Sequence, residues 1–190
     1  MSVATKNYLS AGGVKEEDLL YLSYPLVHEG TNNNGDEFTA EEMKASYKTL
    51  VGTVVDKDHN MSVDAICGKN YEAEYVTESG KGIINVDAYV YANLYPDLEI
   101  KILDGTINAV SMECFFARSE QVALRRRRLH DIQFIGSGLV RIPGDPQALI
   151  NTDELAGETQ SGLVTPGRTQ ADRRRFAAIA AAVIALQEVA

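Results

Sequence analysis

Cysteine, histidine and proline are scarce in this chain of 190 residues, which has two, three and five of them respectively. Two cysteines, Cys67 and Cys114, cannot build a disulfide framework, and neither stands in a CxxC pair that would suggest zinc or thiol redox chemistry. A reducing cytoplasm is the compartment this usage fits. Basic charge is also in deficit: 18 Lys and Arg face 27 Asp and Glu, a formal net charge of −9, which excludes nucleic-acid binding through the overall field. No run approaches the roughly 18 apolar residues that a membrane-spanning helix needs. The opening MSVATKNYLSAGGVKEEDLL has no apolar h-region, so the expectation is a soluble chain not exported by a signal peptide. There is no Walker A sequence, GxGxxG, HExxH or calcium loop, so neither a cofactor nor a metal is expected.

What is present suffices for a packed core, since 45% of residues are hydrophobic and 24% charged. The composition divides the chain into a domain over residues 1–150, a flexible linker over 151–170 rich in Gly, Thr and Ser, and an Ala-rich amphipathic helix over 171–190. In that helix Phe176, Ile179, Val183 and Leu186 share a face suited to docking or to packing on its own domain.

Within the domain, LLYLSYPLV over 19–27 reads as a strand, with Pro25 marking it as an edge or an irregular one. GTNNNGDE is loop-like, and Thr39 three residues before Glu42 is capping-box spacing for a helix over 40–49. A short strand over 53–55 runs into KDHNM. Two strands over 71–76 and 83–91 flank a turn at ESGKG, with Gly80 and Gly82 as its positive-φ residues. PDLEIKIL, closed by Gly105, predicts a helix over 96–103, and a strand follows over 107–116. The arginine-rich stretch 118–131 predicts an exposed loop, because four adjacent guanidinium groups resist burial. A glycine-interrupted strand over 133–142 ends the domain.

Few residues offer chemistry. His28 and His130 read as an edge and a solvated loop histidine, whereas His59 lies between Asp58 and Asn60 just after an apolar strand. Ser111 and Glu113 point to the same side of the strand INAVSMECFF, where a hydroxyl and a carboxylate both need a partner or a cleft. A serine nucleophile needs an imidazole to take its proton and an acceptor to hold the imidazole tautomer, and Ser111, His59 and a carboxylate have those capacities. Asp56, Asp58, His59 and Asp64 offer metal-ligand atoms without a recognised spacing, and rank below proton transfer.

The ordered segments NNNGDEFTAEEM, LVGTVVDKDHN, LDGTINAVSMECFF and FIGSGLVRIPGDPQA together resemble the prohead maturation proteases of tailed phages, which share the fold of the herpesvirus assemblin serine proteases. The likeness spans about residues 19–150. It implies a mainly β domain with peripheral helices (α+β), an assemblin-like barrel core of about six or seven strands. It also implies a serine endopeptidase, with His59 as general base and Ser111 as nucleophile, that cuts phage capsid and scaffold protein, and itself, inside a prohead in the host cytoplasm. A homodimer would fit such relatives, and neither nucleic acid nor membrane is expected as a partner. Many relatives carry an acid on the closing strand where this chain has Gly136. The third catalytic member then falls to Glu113 first, Asp131 second and Asp58 third. Gly136 and Gly138, or the Arg125–Arg128 run, would lie in the oxyanion region. The alternative is a non-catalytic phage head component that retains the protease fold.

Overall fold

A computed structural model describes residue 15 and residues 18–151. The expected linker over 151–170 and helix over 171–190 lie outside the described residues, apart from Asn151. The strands are β1 (Leu19–His28), β2 (Gly30–Thr31), β3 (Asp36–Phe38), β4 (Val54–Lys57), β5 (Ile66–Glu78), β6 (Lys81–Tyr91), β7 (Ala109–Ala123) and β8 (Arg126–Val140), and the helices are α1 (Ala40–Ser46) and α2 (Pro96–Leu103). All eight strands join one sheet in the order β1-β6-β5-β4-β8-β3-β2, with β7 on the other side of β8. Among the described residues the domain is therefore mainly β with two short helices, and the sheet curls into a half-barrel.

Local chemistry explains most boundaries. Thr39 caps α1 by accepting the Glu42 N–H at 3.3 Å, but the Glu42 side chain does not complete the capping box. It reaches instead to His130 and to the Asp131 N–H. The β5–β6 turn places Ser79 and Gly80 at positive φ, a two-residue primed turn, so Ser79 takes the role expected of Gly82. β1 is an edge strand, and its pairing with β6 slips between Pro25 and Val27, where proline lacks an N–H for the ladder.

One segment corrects the sequence reading. The stretch 118–131 is no loop: β7 and β8 continue through it as an antiparallel pair and turn only at Leu124 and Arg125. Arg126, Arg127 and Arg128 are strand residues, and Arg125 is in the turn. Arg127 pairs with Asp36, Arg128 with Glu37, and Arg126 donates to Thr31, so the guanidinium groups are accommodated along β2 and β3. This half of the hairpin projects beyond the core and carries no apolar alternation, which is why periodicity could not reveal it. His130 likewise lies in a strand, half-buried between Glu42 and Glu120.

The main core cluster includes Leu22, Leu26, Phe38, Met43, Val55, Ile84, Val110 and Phe134, all buried. Below the sheet centre runs a buried polar network. Tyr24 Oη lies 3.0 Å from both Asn70 Oδ1 and Ser137 Oγ, Ser137 donates to Asn70, and Asn70 Nδ2 donates to Thr53. Burial raises the Tyr24 phenol well above its usual pKa, keeping it neutral as this network requires.

Candidate active site

The site is built on adjacent strands β4, β8 and β7. Asp56 is level with Gly138, and Gly138 with Ser111; one step away, Val54, Gly136 and Glu113 form the next row. Residues level across a ladder point to the same face, so Asp56, Ser111 and Glu113 share one. It is the face away from the core, because their neighbours Val55, Val110 and Leu139 are core residues. β8 reaches this register through a bulge. Glu113 pairs with Gly136 but Cys114 with Phe134, so Ile135 is the extra residue and the facing of β8 inverts there. Phe134 and Ser137 therefore both point inward, and Gly136 and Gly138 both face the site.

Those glycines provide clearance. A Cβ on Gly136 would lie 2.7 Å from Glu113 Oε2, and one on Gly138 would lie 3.0 Å from both Asp56 Oδ1 and His59 Nδ1. The carboxylates and the imidazole rest directly on bare backbone. Both glycines lie between paired strands, and the role the geometry gives them is this floor.

His59 comes to that floor through a strained turn. Asp58 (φ 61°) and His59 (φ 55°) are consecutive left-handed residues, a conformation that Asp and His tolerate better than most non-glycine residues. Three bonds hold it: His59 N–H to Asp56 Oδ1 at 3.1 Å, Asp58 N–H to Leu139 O at 3.0 Å, and Asn60 N–H to Lys57 O at 3.2 Å. The imidazole Nδ1 then meets Glu113 Oε1 at 3.0 Å, with the ring 40% exposed and the carboxylate 10%.

Asp56, 2% exposed, is the residue that sequence reasoning missed as a member of the acid set. Its carboxyl is hydrogen-bonded to Glu113 and pushed up to about 6, first by burial and then by the negative charge of Glu113. A proton on Asp56 lets the two carboxyl groups lie in contact without like-charge repulsion. A signal was available: Asp56 interrupts the apolar strand Val54–Val55, the same anomaly that drew attention to Ser111 and Glu113.

The structure thus brings His59, Glu113 and Asp56 into contact, with Ser111 in the cross-strand row of Asp56 and Gly138. Ser111 is 7% exposed, and among the described residues its hydroxyl is not hydrogen-bonded to the imidazole. With Nδ1 engaged by Glu113, Nε2 is the nitrogen left for a hydroxyl. Asp131 is not brought in: it pairs with Arg118 at 3.2 Å and lies seven residues along β8 from Gly138. Arg125–Arg128 lie farther out still, at the tip of the hairpin, and cannot serve this site. Asp58 serves as backbone of the turn. Cys67 and Cys114 are free thiols pushed up by burial to about 12 and about 11, so neither is a poised nucleophile.

The Asp56, His59 and Glu113 ligand-type atoms lie within 4.8 Å of one another, a grouping that could also hold a cation. No protein-family model matches the chain, and no curated protein matches it.

Proposed function

We propose that the protein is a serine endopeptidase that processes phage capsid or scaffold protein during prohead maturation, as its ordered motifs suggest. One observation carries the chemical part of this reading: Glu113 holds the Nδ1 of His59 over a floor of glycine, and Ser111 is the ladder partner of that floor. His59 Nε2 takes the proton of Ser111 Oγ as the oxygen bonds to the peptide carbonyl carbon. The imidazolium returns that proton to the leaving amine as the C–N bond breaks, and water cleaves the acyl-enzyme by the same relay in reverse. The Ser111–His59 hydrogen bond forms when substrate fills the site, since such contacts are commonly long in an empty enzyme. Glu113, assisted by Asp56, fixes the tautomer and stabilises the imidazolium.

Co-expression with the phage's own capsid and scaffold proteins, read as fragment masses, tests the substrate. Labelling by a fluorophosphonate tests the site: Ser111→Ala removes labelling and cleavage, and His59→Ala lowers both by about 10³-fold or more. Wild-type protein that neither labels nor cleaves would instead support the non-catalytic head component. The carboxylate–imidazole grouping favours a metal hydrolase as a second reading, and activity abolished by EDTA and restored by zinc would select it.

A further inference from the structure

We propose that the Asn32 carboxamide donates to the anionic oxygen formed when Ser111 attacks a carbonyl, an assignment that rests on the serine-hydrolase reading above. Asn32 lies in the loop between β2 and β3. Its Oδ1 accepts two backbone N–H groups, from Asn34 at 2.9 Å and from Asp36 at 3.0 Å, and its own N–H donates to Asp36 O. These bonds fix the amide plane and establish which terminal atom is nitrogen, because only oxygen accepts. The Nδ2 group that remains is buried and has no hydrogen-bond partner among the described residues. An orphaned buried donor is costly, and a ligand oxygen arriving in the site would satisfy it.

Its position indicates that partner. A Cβ placed on Gly144 would lie 3.7 Å from Asn32 Nδ2 and 3.7 Å from Ser111 Oγ, with Asn34 Nδ2 at 3.2 Å. The orphan amide and the proposed nucleophile thus both lie within 3.7 Å of one point, beside a residue with no side chain. The segment is anchored there. Gly144 O accepts the Asn33 N–H at 2.8 Å, and Asp145 Oδ2 takes the His28 backbone N–H at 2.7 Å and lies 2.8 Å from its Nδ1.

The chemistry needs such a donor. As Ser111 Oγ bonds to the carbonyl carbon, the π pair of the C=O moves onto oxygen, and the serine proton passes to His59. A preformed neutral N–H aimed at that oxygen stabilises the charge without any proton changing hands, and more strongly where water is excluded. When the intermediate collapses, the electron pair returns to the C=O, and the leaving group departs with the proton from His59. Asn32 would then complete a site to which Gly136 and Gly138 contribute space.

The experiment is p-nitrophenyl acetate hydrolysis by the full chain, with Asn32→Asp, Gly144→Ala and Ser111→Ala. Asn32→Asp keeps both acceptor bonds and replaces the donor with an acceptor. It should lower kcat by about 10²–10³-fold, with KM within about twofold, the pattern of an interaction made only in the transition state. Gly144→Ala places a methyl in the gap and should lower kcat in the same way; it decides the matter if a thermal melt shows Asn32→Asp to be unfolded. A folded variant with kcat within about threefold of wild type overturns the assignment while leaving the serine reading in place. If wild type is no faster than Ser111→Ala, both fall together.

Discussion

Asp56 is a carboxyl group whose protonation the fold has altered, and the sign of its effect on stability follows. Its folded pKa, about 6, is above the ordinary carboxylate value, so the folded state holds the proton more tightly than the unfolded chain does. The stabilisation this provides is complete below the unfolded pKa and disappears as pH rises through about 4 to 6. Asn in place of Asp56 keeps an oxygen for the His59 N–H and cannot ionise. In urea unfolding, the stability of Asp56→Asn relative to wild type should therefore increase by about 2 kcal/mol between pH 4 and pH 7.5. A difference independent of pH would mean that Asp56 titrates normally.

At the scale of elements, β8 organises the domain: it pairs with β7 along its length, with β3 near its start and with β4 near its end. Its glycines make a local prediction. Gly138→Ala brings a methyl to 3.0 Å from the His59 imidazole and the Asp56 carboxyl, so the ring must move. Hydrolysis should fall at least about tenfold, while the melting temperature changes by only a few degrees, as expected of a substitution costing about 1 kcal/mol. Loss of folding would show that the floor is structural first.

The elements that could be read in advance were those whose sequence carried a local cause. Thr39 before α1, Pro96 and Gly105 around α2, and Gly80 in the β5–β6 turn each act within a few residues. Strand alternation similarly placed Ser111 with Glu113, in agreement with the register of β7 against β8. The outer half of that hairpin has no apolar face to alternate, so Arg126–Arg128 read as loop. Likewise the bulge at Ile135 depends on pairing across strands, which no single segment encodes, and the meeting of Asn32 and Ser111 beside Gly144 joins three segments far apart in the sequence.

Considered as a whole molecule, the domain joins core and site through the polar network under β8. Tyr24 spans from the edge strand β1 to Ser137, which lies between the two floor glycines and points the other way. Tyr24→Phe leaves Ser137 and Asn70 bonded to each other but each lacking the phenol. It should cost about 1–2 kcal/mol in denaturant unfolding, and a neutral result would show the phenol contributes nothing net.

Because the proposed reacting groups Ser111, His59 and Glu113 stand on the face of the sheet away from the main hydrophobic cluster, their side chains are not among those that pack it. Drift at Ser111, His59 or Asn32 would empty no cavity. A descendant that had lost turnover could persist as an inert copy of the same shape, and outline alone would not distinguish it from its parent.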